Sequence, residues 1–341
     1  MKRFRLSHLV VAGALFAVAA AAPLALAADV LRIGSFTPVT GVNNVKSVPA
    51  FIEAVEAASN GALTIEHYPG GSLGPSPVAQ LKLVEDGVAD IAEVVASYTP
   101  GRFPELSIFE LPFLADNNLE GGLAAWEMYE RGYLSGFEDL MLVGIIESGP
   151  YGIHGNFPIN SLDDLRGKKI RAAGPIQGEI VRRLGAVPVG NIPATQIAES
   201  ISRGLLDGTL MTISGIYGFG IAEVATHHLP EIELGSVSVP YPMRRDRYEA
   251  LSPEAKAAFD EYAGAWFTRV LGENLNANEA EFRGTLASDP THTIYTWSVA
   301  EMNKARALLA GIEAEWDQPN AAGVNLYQEL QQILADVRIM N

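Results

Sequence analysis

The sequence predicts an α/β fold built as two successive lobes, each a mainly parallel sheet wrapped by helices. Three observations carry this. Short segments of alternating apolar and polar residues take turns with stretches of helical spacing. That succession runs once to about residue 148 and then restarts. A β-rich segment, "GSVSVPYPM" (Gly235 to Met243), then reads as a return crossing to the first unit.

In order, "VLRIGS" (Val30 to Ser35) is a first strand by its alternation. "PAFIEAVEAA" has helical spacing and stops at Asn60-Gly61, residues suited to a helix C-cap. "ALTIEHY" is a second strand before the turn-rich "PGGSLGPS". Pro77 to Glu85 is a short helix, and "VADIAEVVAS" a third strand. "LMLVGIIES" (Leu140 to Ser148) is a strand leading into the second unit, where Ser161 with Asp164 has the spacing of a capping box. "KKIRAA", Val187 to Val189 and "LDGTLMTIS" are further strands, with helices at Ile176 to Leu184 and Thr195 to Arg203. Ser252-Pro253-Glu254 opens a long helix with Pro at the favoured first position. Phe259, Tyr262, Trp266 and Val270 give it an apolar face, and Leu326, Leu330, Ile333, Leu334 and Val337 do the same for a terminal helix.

The N-terminus has the features of an export signal. Lys2, Arg3 and Arg5 precede an apolar run, Leu9 to Ala22, and Ala25-Leu26-Ala27 forms a small-x-small cleavage site. No later stretch is long and apolar enough to cross a bilayer. Loss of residues 1–27 leaves 21 basic against 40 acidic residues, a net charge of about −19. Such a chain is poorly suited to nucleic acid or to anionic membrane surfaces. The 341 residues contain no cysteine, which excludes disulfides, thiolate chemistry and zinc–sulfur sites.

Catalytic motifs are scarce. The sequence has no Walker A motif and no H-E-x-x-H. "YPGGSLGP" is glycine-rich but lacks the lysine of a phosphate cradle. His227-His228, beside Leu229-Pro230, reads as a helix end rather than a metal site, since neighbours on a helix diverge and no third ligand is near in sequence. "LRGKKIRAAGP" (Leu165 to Pro175) is the exception in an acidic chain. Arg166, Lys168 and Lys169 read as surface charge. Arg171 stands where a strand runs into a loop, the edge at which open α/β sheets bind ligands. Two readings stay open there: a structural ion pair, or a bidentate clamp on a ligand carboxylate.

Six pieces, in order and over essentially the whole mature chain, resemble the solute-binding proteins of TRAP (tripartite ATP-independent periplasmic) transporters, the DctP-like family. They are "HYPGGSLG", "LVEDGVADIA", "PELSIFELPFL", "PINSLDDLRGKKIR", "LGAVPV" and "ISRGLLDG". The resemblance implies a two-lobed periplasmic binding protein-like fold (type II-like), with crossing hinge strands and a long bracing helix. It divides the chain into a signal peptide (1–27), lobe one (28–148 with about 236–260), lobe two (149–235) and helical segments packing across both (252–341). It implies no cofactor, no metal and no catalytic residue. The implied partners are a small carboxylate and the small and large TRAP permease subunits, and the implied compartment is the periplasm. In this family the last arginine of G-l-K-I-R grips the ligand carboxylate; here that is Arg171.

The chain departs from sialic-acid-type members at four polar positions, where it carries Phe36, Val95, Pro150 beside Tyr151, and Met211. With Ser97 and Thr212 next to two of these, the candidate ligand-binding set is Arg171, Tyr151, Met211, Phe36, Val95, Ser97, Pro150 and Thr212. One anion anchor in an apolar surround predicts an aromatic or branched apolar monocarboxylate, or a 2-oxo acid, rather than a hydroxyl-rich sugar acid. The competing readings are a C4-dicarboxylate or sugar-acid binder, a ligand sensor, and a periplasmic enzyme on the same scaffold.

Overall fold

The computed structural model describes residues 28–316, 320 and 322–340, so the expected signal peptide lies outside the described residues. Two sheets form the two lobes. The first has the order β2-β1-β3-β10-β4, from Leu63–Tyr68 (β2), Asp29–Gly34 (β1), Ile91–Ala92 (β3), Val237–Arg244 (β10) and Leu140–Ser148 (β4). The second has the order β11-β9-β5-β8-β6-β7, from Thr293–Ile294 (β11), His227–Leu229 (β9), Gly152–Gly155 (β5), Gly208–Met211 (β8), Lys169–Arg171 (β6) and Val187–Val189 (β7). In β1 the alternation sends Leu31 and Ile33 into the core, as the pleat requires.

Both sheets are mixed, which corrects the expectation of mainly parallel ones. The chain leaves the first sheet at the end of β4 and enters the second as β5, antiparallel to β8 and β9. It returns as β10, antiparallel to β3 and β4. The two crossing segments pair with each other. Val237 lies opposite Ser148, Tyr151 N–H donates to Gly235 O (2.8 Å), and Leu234 N–H donates to Tyr151 O (2.9 Å). The crossing strands thus form a two-stranded hinge.

β3 is shorter than "VADIAEVVAS" suggested. Its neighbour β10 carries Pro240 and Pro242, which have no N–H to continue a ladder, so after Ala92 only Val94 N–H reaches Pro240 O (3.0 Å). The Ser161 capping box is present, with the hydroxyl of Ser161 and the carboxylate of Asp164 exchanging backbone donors across the turn Leu162–Leu165. His227-His228 belongs to β9, not to a helix end. The C-terminal region, expected to be helical, also contributes β11, which pairs parallel to β9.

The long helix is interrupted. Pro253–Tyr262 and Ala265–Ser288 meet at Gly264, whose φ of 75° with ψ of −126° is a conformation that residues with a side chain rarely adopt. The buried stripe past the break is Phe267, Thr268 and Leu271 rather than Trp266 and Val270. Phe267 stacks on Phe51 at 4.4 Å between centroids, and Phe259 meets Phe51 edge-on at 5.9 Å. Ala265–Ser288 spans both lobes. At its first half Thr268 Oγ1 accepts from Ile145 N–H (3.1 Å) and Asn276 Oδ1 from Asn118 N–H (3.1 Å). Farther on, the carboxylate of Glu279 accepts from Ile213 N–H (3.0 Å) and Ser214 N–H (2.7 Å) in lobe two. Tyr217 stacks on Phe282 at 4.6 Å.

Candidate functional site

β6 ends at Arg171, between Val189 of β7 and Thr209 of β8, and its side chain reaches Tyr98 of lobe one. Its side chain is 1% exposed. Nε donates to Ile192 O (2.9 Å) and Nη2 to Tyr98 Oη (2.8 Å). Among the described residues no carboxylate lies within 4 Å of this guanidinium, although Glu110 is near enough to feel its charge. An ordinary ion pair therefore does not account for Arg171. Burial of a cation without an acid partner costs several kcal/mol (order of magnitude).

The guanidinium opens on a cavity of about 140 Å³. Lobe one contributes Phe36 from the end of β1, Val95 after β3, Tyr98, and Ile146 and Ser148 from β4. Lobe two contributes Met211 from β8, Thr212, and Phe219. Tyr151 and Val237 enter from the crossing strands. Of the eight candidate residues, six line this cavity: Arg171, Tyr151, Met211, Phe36, Val95 and Thr212. Two do not. Ser97 faces a neighbouring cavity with Thr99, Pro104 and Glu110, because the tight turn Ala96–Tyr98 sends successive side chains about a third of a circle apart and gives the site to Tyr98. Pro150 lies in the segment between β4 and β5, where its neighbour Tyr151 lines the cavity instead. Thr212 lines the wall, but its hydroxyl oxygen is used as a helix cap for Gly215 N–H (3.0 Å).

Sequence reasoning missed several lining groups. Tyr98 links the lobes: its oxygen accepts from Arg171 Nη2 and from Ala194 N–H (3.0 Å). With both acceptor positions taken, its own proton is free to be donated. Glu93, Thr37, Ser148 and Asn43 also line the cavity. The only signal for Tyr98 and Glu93 was their place in the loop after β3, at the sheet edge where ligands bind.

Burial dominates the electrostatics. The Tyr151 phenol is pushed up to about 12, so it stays a neutral donor. Burial also raises the Glu93 carboxyl, partly offset by hydrogen bonds from Ser35 and Thr37. Glu110 is raised to about 7 by burial, against the pull of backbone donors from Gln177 and Ile176 and of the Arg171 charge. Among the described residues no histidine lines the cavity and no cluster of His, Asp and Glu has the arrangement of a metal site. The arrangement offers one cation and two phenols to an anion, enclosed by apolar walls.

Comparison with known proteins follows the same lines. Residues 40–318 match the family described as bacterial extracellular solute-binding protein, family 7 (DctP). A marine metagenome TRAP solute-binding protein specific for aromatic acid ligands, solved with metahydroxyphenylacetate, is 30% identical; the superposition covers 91% of this chain and 99% of that one with a TM-score of 0.82. A TRAP solute-binding protein from Rhodoferax ferrireducens, solved with copurified benzoate, is 25% identical over 91% of this chain and 99% of that one, with a TM-score of 0.83. An uncharacterized protein, YiiZ of Salmonella typhimurium, is 25% identical over 243 residues, 66% of this chain and 72% of its own length. A family match across most of the chain, carried on two lobes that superpose on TRAP binding proteins, makes this protein a member of the DctP-type extracellular solute-binding proteins, family 7.

Proposed function

We propose that the protein captures an aromatic or similarly apolar monocarboxylate between its lobes in the periplasm and hands it to the small and large membrane subunits of a TRAP transporter. The observation that carries this reading is the Arg171 guanidinium, 1% exposed and without an acid partner among the described residues, at one wall of a cavity whose other walls are mostly apolar. A ligand carboxylate would supply the missing counter-charge through a charge-assisted hydrogen bond, with Tyr98 and Tyr151 as neutral donors. An apolar ring would gain roughly 25 cal/mol for each Å² it buries against Phe36, Val95, Met211 and Phe219. A polyhydroxylated acid would lose hydrogen bonds to water that these side chains do not replace. The solved relatives named for aromatic acids and for benzoate support the same ligand class. The family's extracytoplasmic setting supports export through residues 1–27.

A thermal-shift screen tests this directly, because a ligand that binds only the folded state raises its apparent stability. Benzoate or phenylacetate should raise Tm, whereas succinate and glucuronate should not. Arg171→Ala should lower affinity for the best acid a hundredfold or more, about 3 kcal/mol, with the circular dichroism spectrum unchanged. Retained affinity in that variant returns Arg171 to a purely structural role.

A further inference from the structure

The same cavity holds an ionisable group that the carboxylate clamp does not use. Glu93 follows β3 in lobe one, is 3% exposed and lines the cavity. Its Oε2 is held by two hydroxyls, those of Ser35 and Thr37, the latter at 2.9 Å; these two hydroxyls are themselves 2.7 Å apart. No lysine or arginine lies within 4 Å of it among the described residues, and its Oε1 accepts no side-chain hydrogen bond there. The bonds to Oε2 brace the loop after β1, which accounts for one oxygen. The Thr37 backbone N–H also acts on this carboxylate, and Oε1 is left without a side-chain donor in the wall of a cavity, where it can accept from a ligand.

We infer that Glu93 is the second recognition point of this site, the acceptor for a ring hydroxyl of the bound acid, so that the protein prefers hydroxylated aromatic monocarboxylates to unsubstituted ones. The inference rests on the aromatic-acid reading and extends it. Arg171 belongs to lobe two and Glu93 to lobe one, so a ligand that meets both ties the lobes together. The walls between them include Phe36, Val95, Met211 and Val239, which suits a flat apolar spacer. A hydroxyl fits this partner better than an ammonium. Burial favours the protonated carboxyl, and a hydroxyl donates to the ionised form and accepts from the protonated one, whereas an ammonium needs the ionised form.

Isothermal titration of the mature chain with benzoate, the three hydroxybenzoates, the methoxybenzoate matching the best of them, and an aminomethylbenzoate tests the assignment. One hydroxybenzoate should bind about tenfold or more tighter than benzoate and than its methoxy analogue, which accepts but does not donate. Glu93→Leu should bring that hydroxybenzoate level with benzoate while benzoate itself still binds. Glu93→Gln, which keeps an acceptor and the shape, should retain part of the preference. If Glu93→Leu does not fold, the wild-type series and Glu93→Gln still decide. Equal affinity for benzoate and all hydroxybenzoates overturns the role of Glu93 and leaves the aromatic-acid reading standing. Tightest binding of the ammonium compound overturns the hydroxyl assignment. No binding of any of these acids overturns the aromatic-acid reading and this inference with it.

Discussion

Tyr98 fixes how the Arg171 guanidinium is presented to the cavity. Its oxygen accepts one hydrogen bond from Nη2 and another from Ala194 N–H, so the phenol both orients the cation and keeps its own proton for a ligand oxygen. Tyr98→Phe keeps the ring and deletes both bonds and the donor. We expect affinity for an aromatic acid to fall about tenfold to a hundredfold, corresponding to about 1.5–3 kcal/mol for a hydrogen-bonded charged group. Titration of the variant with benzoate checks it; unchanged affinity would remove Tyr98 from the site. Arg171 stands out in the sequence as an arginine ending a strand inside a basic stretch of an acidic chain, where two readings are open and the family resemblance points to the clamp. Tyr98 and Glu93 do not, because their roles depend on partners 73 and 58 positions away, Arg171 and Ser35. Ser97, named from the sequence, lines a neighbouring cavity, and the tight turn gives the place beside Arg171 to Tyr98.

At the scale of elements, the break at Gly264 shapes the brace between the lobes. Pro253–Tyr262 packs beside Val48–Ser59, and Ala265–Ser288 then sets off along both lobes; the two directions are joined by Ala263 and by Gly264 at φ 75° and ψ −126°. A Cβ at this position would lie 2.6 Å from Trp126 Cζ2. Gly264→Ala combines backbone strain with this overlap, and we expect a loss of about 2–4 kcal/mol in urea unfolding. A loss below about 0.5 kcal/mol, the scale of a neutral surface change, would show that the junction relaxes without consequence. The apolar spacing from Phe259 to Val270 announced a helix here but not its interruption, since the glycine's need arises from Trp126, far away in the chain. The same limit explains β9. His227 and His228 look like a helix end in isolation; pairing with β5 and β11 makes them a strand, and packing hydrogen-bonds His228 between His154 (Nδ1 to Nδ1, 2.9 Å) and His292 (2.8 Å).

For the whole molecule, two sets of buried groups give stability opposite dependences on pH. Burial lowers His154 to about 4 and His228 to about 2 from 6.5. The unfolded chain therefore binds more protons below pH 6.5, and their contribution is full above that value and lost as pH falls. Glu110 acts in the other direction. It lies at the contact between lobe one and the helix Pro175–Arg183 of lobe two, where its Oε2 accepts from Gln177 N–H (3.3 Å). Burial raises it to about 7 from 4.5, so the folded chain keeps a proton that the unfolded chain has released. Its contribution is best below pH 4.5 and declines as pH rises to about 7, by roughly 3 kcal/mol in all. The two effects oppose each other between pH 4.5 and 6.5, which flattens the wild-type profile. Glu110→Gln removes one of them while keeping an acceptor for the helix N-terminus. At pH 5 the variant and wild type should unfold at similar urea concentrations. At pH 8, where wild type must bury a carboxylate, the variant should be the more stable by up to roughly 3 kcal/mol. A stability difference that does not change between pH 5 and pH 8 would mean that Glu110 holds no proton across the lobe contact.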